Sequence, residues 1–208
     1  MSIFSKDLIT AIKTLIYQHH TVYPHLPPQG IYFESLVEGA FRITGKPFTP
    51  IEPSTPNLPA HDLMIQGQRI SIKTETGAGT KKDRISITKA CTTEKVPWEA
   101  ESLRKHVLTH LRRYDHLLML RAVWEGSIIH YQAIDIPLTI LRKIDKIVLT
   151  QVGKRTGRRS IGGDAIIGDQ IAFHVHFDGA DGKCQVRGLR VNLCKMLAEW
   201  DYQIPSNP

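Results

Sequence analysis

Cys91, Cys184 and Cys194 are the only cysteines in 208 residues. They make no CxxC pair and their number is odd, which excludes a disulfide framework and a thiolate zinc site and implies free thiols in a reducing cytoplasm. No apolar run is long enough to cross a bilayer, and the N-terminal MSIFSKDLITAIKTLIYQHH is amphipathic rather than signal-like, so no membrane partner is expected. Walker loops and GxSxG are absent. His106 and His110 stand four apart, but the VLT between them lacks the glutamate of HExxH, which excludes zinc hydrolysis of that type. Internal repeats and low-complexity tails are missing too.

What is present is an ordinary globular composition with a basic bias. Lys and Arg number 27 against 20 Asp and Glu, giving a formal net charge of +7 and a sequence pI of about 9.4. That balance favours a polyanionic partner, of which nucleic acid is the commonest. The length suits one domain with a full core, spanning residues 1–208.

Hydrophobic spacing predicts a helix over Lys6 to His20, capped by Ser5, and a second over Ile31 to Thr44, after Gly30 and before Gly45. Pro47 to Pro59 carries five prolines and reads as an extended connector. Strands are expected at Arg84 to Thr88, Tyr114 to Val123, Ser127 to Ile134, Gln170 to Phe177 and Lys183 to Arg190, with a helix from Trp98 to Arg113. A short helix is expected after Pro137, and one helical turn near Leu193 to Leu197. This order points to an α/β (α+β) fold, a central mixed sheet flanked by helices.

The chain is organised around His61 to Glu75, HDLMIQGQRISIKTE, which reads as two short strands joined at Gly67-Gln68. Glycine at the first central position suits a type II′ turn. Counting outward then sets Ile65 against Ile70, Leu63 against Ile72 and Asp62 against Lys73. Leu63, Ile65, Ile70 and Ile72 share an apolar face, while Asp62, Met64, Ser71, Lys73 and Glu75 share the other. A carboxylate and an ammonium therefore meet at the open end of the ribbon. Taken alone, such a pair is an ordinary cross-strand ion pair.

The second helix offers further carboxylates. At about 100° per residue, Tyr32, Phe33, Leu36, Val37, Ala40 and Phe41 centre near about 190°, Glu34 falls at about 300° on the edge of that face, and Glu38 at about 340°, nearer solvent. Glu34 is the better placed to reach a site on the sheet. Two Gly-rich basic stretches suit phosphate backbones or base edges: Thr76 to Arg84, with Lys81, Lys82 and Arg84, and Thr150 to Gly163, with Lys154, Arg155, Arg158 and Arg159. His174 and His176 point the same way from one strand, as packing, metal or DNA-contact groups.

A helix of form GxxFE, an Asp opening a hairpin, a strand ending in xIK, the later ISIT strand and the unit WEAESLRKHVLTHLRRYDHLLML together resemble the PD-(D/E)XK nuclease superfamily, and within it type II restriction endonucleases. The resemblance covers about Gly30 to Ile136, a catalytic core of about 30–136. It leaves 150–208 for DNA-recognition and dimer elements. By position, Asp62 matches the first acidic residue of the motif, Lys73 its lysine and Glu34 the helix glutamate. His61 stands where the motif has proline. Ser71 stands where a second acidic residue is expected, so Glu75 or a helix carboxylate must supply the missing ligand.

The resemblance implies Mg²⁺-dependent, sequence-specific cleavage of double-stranded DNA by a homodimer. The ion would be held by Asp62, Glu34 or Glu38, and the carbonyl of Ile72, with Lys73 beside the attacking water. Two other readings share the scaffold. One is a structure-selective nuclease, such as a junction resolvase or repair enzyme. The other is a DNA-binding module without catalysis, which the serine at 71 keeps open.

Overall fold

The structure is a computed structural model and describes residues 3–50, 62–93, 95–152 and 159–205. Its elements run α1 (Lys6–Val22), α2 (Ile31–Ile43), β1 (Thr49–Pro50), β2 (Leu63–Ile65), β3 (Gln68–Glu75), β4 (Arg84–Thr92), α3 (Ala100–Leu111), β5 (His116–Glu125) and β6 (Ile128–Asp135). They continue with α4 (Leu138–Leu141), β7 (Thr150–Val152), β8 (Ser160–Ile167), β9 (Gln170–Asp178), β10 (Lys183–Arg190) and β11 (Lys195–Gln203). The chain divides into two compact units whose segments alternate in sequence. The first holds Met1–Thr80, Tyr114–Ile136 and Lys195–Pro208, and the second Lys81–Arg113 and Pro137–Cys194.

The first unit is the expected mixed sheet with helices on it. Its strand order is β1-β2-β3-β5-β6-β11, with β3 parallel to β5 and the other pairs antiparallel. Ile70 and Ile72 of β3, Leu118, Leu120 and Ala122 of β5, and Ile129, Tyr131 and Ala133 of β6 form one apolar face. The buried stripe of α1 (Leu8, Ile12, Ile16) and that of α2 (Phe33, Val37, Ala40, Phe41) join the same core. Ser5 caps α1 as expected, its Oγ accepting from the Leu8 N–H at 3.4 Å. Tyr32, counted above into the apolar face, is exposed.

Because β3 and β5 are parallel, the chain must leave and return before β5 begins, and an ion pair fixes the re-entry. The backbone N–H of Arg69 and its Nε donate to Asp115 Oδ2 at 2.9 and 3.1 Å, Nη2 donates to Oδ1 at 3.0 Å, and the Asp115 N–H donates to the Arg69 carbonyl. This clasp pulls the Asp115 carboxyl down to about 2, chiefly through the guanidinium and backbone donors of Arg69.

The central hairpin forms, with its turn one residue earlier than the sequence suggested. Ile65 pairs with Gln68 and Leu63 with Ile70, so Gln66 and Gly67 are the turn. Both have positive φ, 50° and 77°, as a type I′ turn requires. The register moves by two residues, so every side chain keeps its face, but Asp62 is diagonal to Lys73 rather than opposite it. Among the proline-rich residues, Thr49 and Pro50 pair with Met64 and Leu63; the rest of that connector, 51–59, and Ala60 and His61 after it lie outside the described part.

The second unit is an antiparallel sheet, β4-β10-β9-β8-β7. The ISIT strand, read above with the nuclease core, pairs here with β10. Alternating burial of Phe173, Val175 and Phe177 on β9 and of Cys184 and Val186 on β10, with Leu189 buried beyond a register shift, gives this sheet its core face. β8 lies in a stretch whose glycines suggested a loop. At Gly162 a Cβ would come within 2.8 Å of the Val175 carbonyl oxygen, so glycine there permits close approach within a strand. The Pro137 turn does start α4.

The helical turn expected near Leu193 to Leu197 lies slightly earlier, as a 3-10 turn at Val191–Leu193, and from Lys195 the chain forms β11, which adds an edge to the first sheet beside β6. A register irregularity between Met196 and Ala198 breaks the period-two pattern. What holds the strand is pairing and Trp200, stacked on Tyr131 at 5.3 Å between ring centroids.

Candidate active site

Asp62 is positioned by its own backbone, whose N–H donates to the Ile70 carbonyl at 2.8 Å just before β2. Its Oδ2 accepts from the Ile72 N–H at 2.5 Å and from the Ser71 hydroxyl at 3.2 Å, and lies 3.8 Å from Lys73 Nζ. Oδ1 takes none of these bonds. Lys73 Nζ also donates to the Ile72 carbonyl at 3.0 Å. One turn of ribbon thus gathers a carboxylate, an ammonium and a backbone carbonyl. Ser71 is buried and serves as a hydrogen-bond donor to Asp62 where an acidic residue was expected.

Helix α2 enters at the far end of β3, where the Gly30 N–H donates to Thr74 Oγ1 at 3.3 Å. Gly30 takes φ 50°, which lets the chain turn sharply into the helix. Glu34, one turn along, is half-buried beside the pair on the ribbon. Burial raises its carboxyl above the ordinary value, the Asp62 charge raises it further, Lys73 opposes, and Glu38 adds a smaller push. A half-buried carboxylate whose ionisation burial and a neighbouring carboxylate disfavour marks the kind of pocket a cation relieves. Glu38, four residues on, is engaged with Arg42 at 3.1 Å.

Glu75 shares the strand face with Lys73 but is turned to a different partner. Its Oε2 accepts from Arg121 Nε at 2.7 Å. Arg121 is fully buried in β5, and its Nη1 donates to Gln132 Oε1 on β6. Gln132 Nε2 in turn donates to Glu199 Oε1 on β11 at 2.7 Å. These four residues are register partners on successive strands, so a polar row crosses the sheet. The sequence reading missed this row, although one arginine inside the apolar run HLLMLRAV signals it.

Lys81 and Lys82 are exposed, and Arg84 opens β4 with Asp83 3.4 Å from its Nε. Arg159 is exposed just before β8; its Nη1 donates to Gln151 Oε1 at 3.4 Å and its carbonyl accepts from Trp98 Nε1 at 2.6 Å. Lys154, Arg155 and Arg158 lie outside the described residues. His174 Nδ1 pairs with Asp164 Oδ1 at 2.8 Å. Among the described residues no group of three or more His, Cys, Asp or Glu side chains converges as a metal cage, and no helix is long and apolar enough to cross a membrane.

The donors at the ribbon are two carboxylates and one carbonyl. That set fits a hard divalent ion that keeps several waters rather than one needing a full protein cage.

Comparison with known proteins bears on the family of the whole chain. A type II restriction enzyme, SmaI of Serratia marcescens, is 27% identical over 151 residues, covering 71% of this chain. The match spans 61% of that relative's length. No solved structure matches the chain. The model of the SmaI family, type II site-specific deoxyribonucleases, matches residues 1–202. The chain belongs to the SmaI family of type II site-specific deoxyribonucleases.

Proposed function

We propose that this protein is a restriction endonuclease that cuts phosphodiester bonds of double-stranded DNA at a short specific sequence with Mg²⁺, acting as a homodimer with one site per strand. The observation that carries the reading is the 3.8 Å approach of Lys73 Nζ to Asp62 Oδ2 on a ribbon faced by Glu34. Asp62, Glu34 and the Ile72 carbonyl would hold the ion, with Glu38 in reserve. When bound, Mg²⁺ polarises the phosphate and lowers the pKa of a coordinated water.

The chain's own groups do the rest. Lys73 Nζ, held by the Ile72 carbonyl and Asp62, orients the attacking water and offsets charge developing on the phosphate oxygens. Ser71 and the Ile72 N–H fix Asp62 Oδ2, leaving Oδ1 as its outward ligand. Glu75 acts through Arg121, anchoring the end of β3 that carries Lys73, in place of a direct role at the ion. Lys81, Lys82, Arg84 and the basic stretch Lys154, Arg155, Arg158 and Arg159 contact DNA.

Incubation with phage DNA and Mg²⁺ tests the proposal. Discrete fragments support it, cleavage confined to branched DNA replaces it with a structure-selective nuclease, and a gel shift without cutting replaces it with a binding module. Asp62→Ala and Lys73→Ala should each lower cleavage by about 100-fold or more while DNA binding in Ca²⁺ persists. Full activity in either variant overturns the site.

A further inference from the structure

Two buried cysteines face each other across strands of the second unit. Cys91 on β4 is the direct register partner of Cys184 on β10, and their relative exposures are 4% and 0%. Directly opposed residues of an antiparallel pair have Cα atoms about 4.5–5.5 Å apart, inside the ~4.4–6.8 Å that a disulfide spans. Their Cβ atoms stand about 4.5–5.5 Å apart, so a closure of roughly 1 Å brings them to disulfide separation. The register shift that follows Cys184 on β10 gives that strand local slack.

The pair is chemically unequal. The two thiols hydrogen-bond to each other, which pulls the Cys91 thiol below its ordinary range and pushes Cys184 well above. His106 on α3 hydrogen-bonds Cys91 as well, and Arg113 adds a nearby positive charge. His106 Nε2 lies 2.8 Å from the Thr92 carbonyl, which can only accept, so that nitrogen carries a hydrogen. The contact with Cys91 raises the imidazole's own affinity for a proton. Cys194, the remaining cysteine, is half-buried, with its Sγ 3.8 Å from the Arg190 carbonyl.

We propose that Cys91 and Cys184 form a redox-active dithiol in which Cys91 attacks a hydroperoxide, Cys184 resolves the product into a cross-strand disulfide, and His106 carries the proton. With hydrogen peroxide, the Cys91 proton passes to His106, and the thiolate takes one peroxide oxygen as the O–O bond breaks. The departing hydroxide receives the proton from His106 and leaves as water. The Cys184 sulfur then attacks the Cys91 sulfenic sulfur and the S–O bond breaks, with the Cys184 proton leaving on that hydroxide as a second water. Two thiols lose two electrons, and one peroxide becomes two waters. The new bond staples β4, which lies at the edge of its sheet, to β10.

The test is a count of alkylatable thiols by intact mass in denaturant, before and after treatment of the full chain with hydrogen peroxide. The reduced protein should show three, the oxidised protein one, and a thiol reductant should restore three, with Cys91 and Cys184 joined in the peptide map. Cys194→Ser should still lose two. Cys184→Ser should instead accumulate a dimedone-trappable sulfenic acid at Cys91, and His106→Gln should slow Cys91 oxidation by about tenfold, the effect of one pH unit in thiolate population.

Three thiols surviving peroxide that fully oxidises dithiothreitol, or a disulfide involving Cys194, would overturn the proposal. If Cys184→Ser does not fold, the wild-type count and peptide map still decide.

Discussion

Replacing Arg121 with methionine is the sharpest test of how the first sheet is held. The guanidinium is fully buried and bonds Glu75 on one side and Gln132 on the other, with Glu199 completing the row. Methionine keeps much of the volume but leaves the Glu75 carboxylate, 13% exposed, beside an apolar group. Removing one member of a buried pair costs about 3–5 kcal/mol, because the partner's charge is left uncompensated. In a chain of this size that corresponds to roughly 6–20 °C in melting temperature.

Urea denaturation followed by circular dichroism reads the loss directly. The double variant Arg121→Met/Glu75→Gln should recover a substantial part of it, since the stranded charge is gone. A single-variant loss under about 1 kcal/mol would mean that water reaches the row and that the arginine is ordinary surface chemistry. A double variant no better than the single would mean that packing, not charge, sets the cost.

Glu34→Gln should raise stability at neutral pH in metal-free buffer. The Glu34 carboxyl is raised by burial and by Asp62, so the protonated form stabilises the fold at acid pH and that contribution is lost as pH rises through the shifted value. The gain should disappear once the pH falls below the ordinary glutamate range, and a gain unchanged by pH would refute the electrostatic cause. For Asp115 the sign is opposite. Its carboxyl is depressed to about 2 from 3.8, so the Arg69 clasp contributes above the unfolded value and is lost as pH falls toward 2; Asp115→Asn should flatten the acid limb of a melting-temperature profile. Lys81→Ala with Lys82→Ala should reduce the slope of log binding constant against log salt by about 2 if each lysine neutralises one phosphate. Cleavage assays of Glu34→Ala against Glu38→Ala should show the larger loss at Glu34, because Glu38 is already committed to Arg42.

Local rules carried the sequence reading where the signal is short-range. Ser5 as a cap, the glycine-led start of α2 and the alternating Gln170 to Phe177 strand are written in neighbouring residues, and they appear where expected. The Asp62–Lys73 approach survived a wrong turn assignment because the register slipped by two, an even number that preserves faces. What was hidden depends on distant partners. ISIT has no local mark that sends it to β10 rather than to the sheet of β3. The tail becomes β11 because β6 offers it an open edge, while its irregularity masks the alternation. Ser71 looked like a missing ligand and is a bonded donor to Asp62, a contact across the ribbon that residue type alone does not encode.

Strand β11 pairs with β6, yet in sequence the second unit's segment Pro137–Cys194 lies between them. During synthesis β6 therefore emerges long before its neighbour, and its flank stays bare while some sixty intervening residues are made. Closure of that flank is a late, long-range event with a large loop to organise first, the kind of step that slows maturation and invites aggregation. A nascent chain stopped before Lys195 would lack Trp200 and Glu199 together, and with them the outer seam of the sheet that carries the ribbon.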